Sequence, residues 1–484
     1  MSLSSAISTA QSILSNTSKQ TLVVSDNIAN ASNPDYARRA PTLQTYFGGE
    51  LSVSVQRAEN TVLFNQSLEY LSVSTAQNIV YDGLEQLKTS MGGNDYELSP
   101  SRYIGDLRDM LQTLAATPGD TTLAASVISA AQDVANSIND ASASTQQLRL
   151  EADQAIGEGV DKLNNLLVQF EEVNNEVVAG TSTGDDVSQA LDSRDTLLRE
   201  ISTLVGIRTL DRGNNDIAIY TTGGQTLFET IPRVVSFTPT NGIDATISGN
   251  PVYIDGVALQ PGSGSQSTAT GELAAHLKVR DGIAPTYQAQ LDEIARGLVV
   301  VFAEHDQSGS ALPDLPGLFT WSGGTVPSTA TIEPGISATL SVNPAVLVDT
   351  GNPALLRDGG INGAAYVSNT SGATGFSSLL DGYVTGLEAP ISFDAAALAG
   401  DGASLVGYAS DSIGWLELYR SQAHEAAETR EAAMVRIFES YSNDTGVNID
   451  EEMALLLDLE QSYKASTKLL STIDEMLAAL MAVR

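Results

Sequence analysis

The sequence predicts a multidomain α+β protein, in which the N- and C-terminal helices pair into a coiled-coil or helical-bundle rod and a mid-chain β-rich domain is inserted. Three observations predict this fold class. The chain has 484 residues, more than the roughly 250–300 that one hydrophobic core organises. Apolar residues recur in heptads at both ends. Between the ends, glycine-containing turns separate short alternating segments.

The composition excludes several classes of function. The net charge is −35, from 24 Lys and Arg against 59 Asp and Glu, so the chain would repel nucleic acid and anionic lipid headgroups. Cysteine is absent, which excludes disulfides and thiolate chemistry. No apolar run approaches the roughly 20 residues of a membrane-spanning helix. The N-terminus lacks a basic region followed by an apolar one, so we expect any export to proceed without a cleaved signal peptide.

The first 31 residues predict a helix with a narrow apolar seam, because apolar and small residues recur at alternating steps of four and three. Uncharged Ser, Thr, Asn and Gln occupy most of the remaining positions, so the isolated helix would be marginal. Pro34 predicts a helix stop and a turn. The predicted seam consists of Leu3, Ile7, Ala10, Leu14, Thr17, Thr21, Val24, Ile28 and Ala31.

The C-terminal residues repeat this heptad pattern more strongly. Asn448 is the predicted N-cap, and we interpret Asp450, Glu451 and Glu452 as capping and helix-dipole residues rather than metal ligands or acid–base groups. The simplest way to bury two narrow apolar seams at opposite ends of a chain is for the two helices to pack against each other and against neighbouring subunits. The predicted seam positions are Ile449, Leu456, Tyr463, Leu470 and Leu477, with Leu459, Ser466, Ile473 and Leu480.

The interior begins and ends with predicted helices. Pro118-Gly119 and the glycines at 180 and 184 separate three of them. Heptad spacing between Leu148 and Val177 favours a long bundle over a globule. The predicted helices lie near residues 60–90, 101–117, 121–180, 186–206 and 404–442.

The middle of the chain predicts strands. Ile217 and Ile219 alternate before Gly223-Gly224, and Asn241-Gly242 and Asp255-Gly256 are hairpin signals. Residues 271–302 return to a helical pattern with Pro285 in its first turn. Residues 310–400 are rich in Gly, Pro, Ser and Thr, and Ile336–Val342 resembles a strand.

These elements predict three domains. The terminal coiled-coil domain comprises residues 1–59 with 443–484. The helical bundle comprises 60–206 with 403–442 and includes 271–304. The β-rich outer domain comprises 207–270 and 305–402.

Two terminal segments are similar to known sequences. Ser25 to Arg38 resembles the N-terminal signature shared by flagellar rod, hook and hook-associated proteins, with Asn33 and Asp35 where that signature has Thr and Gly. Gly446–Met453, Gln461–Ser466 and Thr472–Leu477 resemble its C-terminal counterpart. The Val447-to-Met453 opening and the Tyr36-to-Arg38 pair look more like the hook-associated protein 1 family than hook or rod proteins.

Two interior segments, Asp192–Leu198 and Gly271–Asp281, also look like the hook-associated protein 1 family.

The resemblance implies a structural subunit of the bacterial flagellum at the hook–filament junction, outside the cell. Its implied partners are further copies of itself in a ring, hook protein, hook-associated protein 3 and a flagellar export chaperone. We expect the following residues to form the assembly contacts: Leu3, Ile7, Leu14, Val24, Asn27, Ile28, Asn30, Pro34, Tyr36, Arg38, Val447, Asp450, Glu451, Leu456, Tyr463, Leu470, Ile473 and Leu477.

The sequence offers no pattern typical of an enzyme. His276, His305 and His424 are far apart, and Gly359-Gly360 lacks the lysine and setting of a phosphate-binding loop. We therefore expect no catalytic residue, cofactor or metal. Two alternatives stay open: another axial protein, either hook protein or hook-associated protein 3, and a secreted adhesin or enzyme carried on a helical stalk.

Overall fold

The first and last helices of the chain pack against each other. The computed structural model describes residues 3–45, 51–260, 270–400 and 402–482. Helix α1 (Leu3–Ala29) contacts helix α12 (Ile449–Ala482) along its length. The two are antiparallel, because Asn27 near the end of α1 bonds Glu452 near the start of α12. The predicted pairing of the chain ends is confirmed.

A β-hairpin that the sequence analysis missed follows α1. Strands β1 (Arg39–Thr45) and β2 (Leu51–Arg57) pair antiparallel from Arg39 opposite Arg57 to Thr45 opposite Leu51, and both contact α1. The signal was present in the second strand, where Leu51, Val53 and Val55 alternate with polar residues. The terminal region is therefore a helix pair with a hairpin rather than a coiled coil alone.

Five long helices confirm the predicted helical tract. Side-chain oxygens of Asn60, Ser99, Asp120 and Ser404 cap four of them by accepting backbone N–H groups in the first turn. With 63 residues, α4 is about 95 Å long at 1.5 Å per residue. The helices are α2 (Thr61–Ser90), α3 (Pro100–Ala116), α4 (Thr121–Thr183), α5 (Ser188–Leu204) and α11 (Leu405–Thr445).

In the described part of the segment after α5, the chain forms two small antiparallel sheets, which confirms the α+β class. Asp255 and Gly256 have φ of 50° and 78° and make a tight hairpin, as predicted. The prediction for Asn241-Gly242 was wrong, because this pair lies within a long loop. The strands are β3 (Ile207–Asp211), β4 (Ile217–Thr221) and β5 (Thr226–Phe228), then β6 (Val235–Ser236), β7 (Tyr253–Ile254) and β8 (Val257–Ala258).

A largely buried helical segment follows these sheets. It consists of α6 (Glu272–Lys278), a π-helical segment at Val279–Ile283 and α7 (Ala284–Val301), with Pro285 in the first turn of α7 as predicted. Most of α7 is buried on all sides, so its polar residues need internal partners. Arg296 pairs with Glu293 at 2.7 Å, and both side chains are buried.

Residues 305–400 differ from the predicted β-rich extension. In the described part of this region the strands β9 (Phe319–Thr320) and β10 (Ser341–Val342) have two residues each. The strand-like run Ile336–Val342 divides into one helical turn and β10, because so short an apolar run fits either conformation. The helices are α8 (Ile336–Thr339), α9 (Leu355–Asp358) and α10 (Ser378–Glu388).

The described residues form three large hydrophobic clusters, and α4 contributes to each of them. Ile128 packs with α3, α7 and α10; Leu163 packs with α5 and the strands β3–β7; and Leu148 packs with α2, α6 and α11. Helices and strands therefore share cores. The longest helix connects those cores along the molecule.

Candidate assembly site at the paired chain ends

The turn after α1 folds back onto the helix that precedes it. Asn33 Oδ1 accepts the N–H of Asp35 at 3.1 Å, and Tyr36 N donates to Asn33 O at 3.2 Å. This closes the turn around Pro34, which is exposed. Asn30 donates its side chain to Asp26 O at 2.9 Å and so supports the last helical turn. The signature residues therefore form a compact turn that reverses the direction of the chain.

Asn27 lies at the centre of this reversal and has all of its polar atoms satisfied. Its Oδ1 accepts Tyr36 Oη at 2.8 Å and Arg39 N at 3.1 Å. Its Nδ2 donates to Arg39 O at 2.8 Å and to Glu452 Oε2 at 3.0 Å. Asn27 is fully buried, so each of these bonds replaces one to water. One amide thus joins the helix, the turn and the C-terminal helix.

The interpretation of Glu452 as a capping residue was wrong. Asn448 does cap α12, since its Oδ1 accepts Asp450 N at 3.0 Å and Glu451 N at 3.5 Å, and both of these acidic side chains are exposed. Glu452 instead is fully buried and pairs with Arg38 Nε at 2.7 Å. Its position faces α1, one turn beyond the exposed cap. Glu452 therefore ties the two chain ends together.

Two acidic residues of α5 extend this polar network into the helical tract. Asp192 pairs with Arg39 at 3.1 Å and with Arg57 at 2.8 Å, and Asp195 pairs with Arg57 at 2.6 Å. Burial acts to lower the pKa of Arg57, but Asp195 and Asp192 outweigh it and the pKa is raised. Arg57 therefore stays charged, and the hairpin is held against α5.

Further contacts anchor the turn on its other sides. Arg38 N donates to Thr445 O at 2.8 Å, at the end of α11. Asp35 pairs with Arg199 of α5. The guanidinium of Arg39 lies 4.7 Å from the ring centroid of Tyr36. Burial, partly opposed by Arg39, raises the pKa of Tyr36 to about 12, so its hydroxyl keeps the proton that it donates to Asn27.

A cavity of about 290 Å³ separates the turn from the junction of α11 and α12. Pro34 and Tyr36 line one side, and Phe438 and Val447 line the other. Val447 is half-buried. The predicted contact residues Pro34, Tyr36 and Val447 therefore border one polar recess.

The predicted α1 seam is only partly buried in a single chain. Ala10, Thr17 and Val24 are buried at steps of seven, whereas Ile7, Leu14 and Ile28 are half-buried. The side chain of Leu3 lies outside the described residues.

The centre of the α12 contact differs from the predicted one. Glu452, Leu459, Ser466 and Ile473 are buried at steps of seven. Leu456 and Leu470 are half-buried. Tyr463 is 45% exposed, Leu477 36% and Ile449 50%, so the heptad position that looks most apolar in the sequence lies at the edge of the contact.

Large apolar side chains line both flanks of this contact. Tyr463 and Leu477 lie on the flank four residues after each buried position, and Leu469 and Met476 lie three residues after, with 54% and 51% of their surface exposed. The apolar face of α12 is thus wider than α1 can cover.

The described residues contain no group of three or more His, Asp or Glu side chains arranged to hold a metal ion. None of the helices in the described ranges is long and apolar enough to cross a membrane.

Residues 84–318 match the flagellar hook-associated protein FlgK helical domain, and residues 439–483 match the flagellar basal body rod FlgEFG protein C-terminal family. The chain is 21% identical to flagellar hook-associated protein 1 of Escherichia coli over 63% of this chain and 58% of that protein. It is 21% identical to the Bacillus subtilis protein of the same name, over 98% and 95%.

In the first of these alignments the chain spans less than two thirds of its relative, and with the Salmonella typhimurium protein it spans 43% of that relative's length at 23% identity. The fold is similar to the solved structure of the flagellar hook junction protein FlgK from Burkholderia pseudomallei. That similarity has a TM-score of 0.56 at 14% identity and covers 78% of this chain and 99% of the other. Together with the joined termini, these matches make the chain similar to the FlgK family of flagellar hook-associated proteins, whose helical-domain model covers residues 84–318.

Proposed function

We propose that this chain is a structural subunit of the bacterial flagellum that forms the hook–filament junction. The observation that carries the proposal is the buried tie of Glu452 to Arg38 and Asn27, which fixes the two ends as one unit. The similarity to hook-associated protein 1 of two bacteria and to a solved hook junction protein supports the same role. The role is mechanical and requires no bond to be made or broken.

The joined ends supply a surface for neighbouring copies. Leu469, Met476, Tyr463 and Leu477 expose apolar area beside the α1 contact. Large apolar side chains exposed together on one helix are typical of protein–protein interfaces. We infer that further copies cover these flanks in a ring, and that the half-buried α1 positions Ile7, Leu14 and Ile28 lie at the margin of the same interface.

The remaining partners follow from the proposed place in the axial structure. Hook protein would contact the ring on one side and hook-associated protein 3 on the other. Before assembly, an export chaperone would cover the exposed face of α12. We propose that the chain acts outside the cell.

A deletion strain tests this proposal. Loss of the gene should leave hooks present, filaments absent and flagellin in the medium, as seen by electron microscopy and immunoblotting. Absence of hooks would contradict the proposal in favour of hook protein. Restoration of filaments by a plasmid copy of this gene, but not by one encoding hook-associated protein 3, separates those two junction proteins.

A further inference from the structure

The chain contains two Asn-Gly pairs, Asn241-Gly242 and Asn362-Gly363. Asn-Gly is the dipeptide most open to attack by the following backbone nitrogen on the asparagine side chain, because glycine has no Cβ to obstruct it. In the folded chain the two pairs differ in the hydrogen bonds made by their reacting groups. We propose that Asn241 is a site of spontaneous deamidation and that the structure protects Asn362 from the same reaction.

Asn241 is free to react. It is exposed, in the long loop between β6 and β7, and so is Gly242. Among the residues that the structure describes, neither the Asn241 side chain nor the Gly242 N–H has a hydrogen-bond partner. Gly242 has φ of 68°, a conformation that a glycine adopts without strain. No hydrogen bond to a described residue has to break before the two groups meet.

Asn362 is restrained on both reacting groups. Its Nδ2 donates to Glu304 Oε2 and to Pro316 O, each at 2.9 Å. The attacking nitrogen of Gly363 donates to Gly360 O at 3.0 Å. Glu304 is buried and also accepts Asn362 N at 2.8 Å. Three hydrogen bonds therefore have to break before cyclisation.

The reaction needs only water and base. Gly242 N loses its proton to solvent hydroxide and attacks Asn241 Cγ, so a C–N bond forms. The Cγ–Nδ2 bond breaks, and the nitrogen leaves as ammonia after taking a proton from water. Water then opens the cyclic imide at either carbonyl and gives aspartate or isoaspartate. The net change is one water consumed and one ammonia released, with no oxidation or reduction.

The product would alter a loop that is tied to the helical tract on both sides of Asn241. Thr240 donates its N and Oγ to Asp153 at 2.9 and 2.8 Å, and Asp153 pairs with the buried Arg280 at 2.6 Å. Arg149 donates to Asp244 O at 2.6 Å. Deamidation adds a negative charge between these ties, and isoaspartate also lengthens the backbone there by one methylene.

Mass spectrometry of the folded chain, incubated at neutral to mildly alkaline pH, tests the proposal. Trypsin cleaves after Arg233, Lys278, Arg357 and Arg420, so the two pairs fall in separate peptides. If each hydrogen bond contributes a factor of roughly five, conversion at Asn241 should be about a hundredfold faster than at Asn362. An Asn241→Gln chain should lose the signal in its peptide.

The same incubation in concentrated urea is the matched control for the fold. There the two sites should convert at similar rates, because both have the same following residue. Equal rates in the folded chain would overturn the proposal. A difference that persists in urea would also overturn it, because the protection would then come from local sequence.

Discussion

A carboxylate removed from water is stable only when cations and hydrogen-bond donors replace its hydration shell. Glu452 meets that condition with Arg38 at 2.7 Å and Asn27 at 3.0 Å. Each partner comes from the opposite end of the chain. Loss of the carboxylate would leave the buried amide of Asn27 without one of its acceptors. The effect of this residue on stability should therefore be large and local to the joined ends.

At the residue scale we predict that Glu452→Ala lowers the free energy of unfolding of the joined ends by about 2 kcal/mol, because it leaves the buried Asn27 amide without one acceptor and the partly exposed Arg38 without its carboxylate. Hydrogen–deuterium exchange should show faster exchange in α1 and α12 and little change in α4. Glu451→Ala is the matched control, since Glu451 is exposed, and should change stability by less than about 0.5 kcal/mol. Equal effects of the two substitutions would contradict the assigned role of Glu452.

Helix α12 has two kinds of apolar position. Those that contact α1, such as Leu459 and Ile473, are buried within the chain. Those on the flanks, such as Leu469 and Met476, are exposed. If the flanking residues contact neighbouring copies, substitutions at the two kinds of position should have different effects. Substitution of a residue that contacts α1 should destabilise the folded subunit, whereas substitution of a flanking residue should impair only assembly of the polymer.

At the element scale we predict opposite outcomes for Val24→Ala and Met476→Ser. Val24 is fully buried in the helix pair, so its truncation should cost about 1–2 kcal/mol of stability, measured by urea denaturation. Met476→Ser should leave stability unchanged within about 0.5 kcal/mol but reduce assembly. Filament counts on complemented deletion cells measure the second effect. Normal filament numbers with Met476→Ser would argue against the proposed interface.

At the scale of the whole molecule, a 63-residue helix connects three cores while the surface carries a large excess of acidic charge. A net charge of −35 opposes compaction through self-repulsion. Salt screens that repulsion, since the Debye length falls from about 30 Å at 0.01 M to about 3 Å at 1 M. Ion pairs such as Arg280 with Asp153 are buried, so salt should weaken them little.

We therefore predict that the melting temperature rises by several degrees between 0.01 M and 1 M NaCl, as measured by differential scanning calorimetry. A triple variant that replaces the exposed Asp133, Asp140 and Asp161 with Asn should show a smaller rise, because its net charge is less negative. A melting temperature that falls with salt would show that attractive surface pairs outweigh the repulsion.

The long helices and the paired ends could be predicted from sequence because their signals are local and repeated. Asn60, Ser99, Asp120 and Ser404 begin helices where a capping residue precedes a periodic segment. Short segments carry fewer repeats, so the first hairpin was missed and Ile336–Val342 was assigned to one strand. The conformation of a two- to four-residue element depends on the residues that pack against it.

By itself, the sequence determined that two heptad seams exist and that a helix stop and turn at Pro34 follow the first of them. Only the tertiary structure decided that Glu452 is buried while its neighbours Asp450 and Glu451 are exposed. Three consecutive carboxylates look alike in a sequence. They differ once α1 covers one side of α12, because successive residues of a helix point about 100° apart and only one of the three can face the partner.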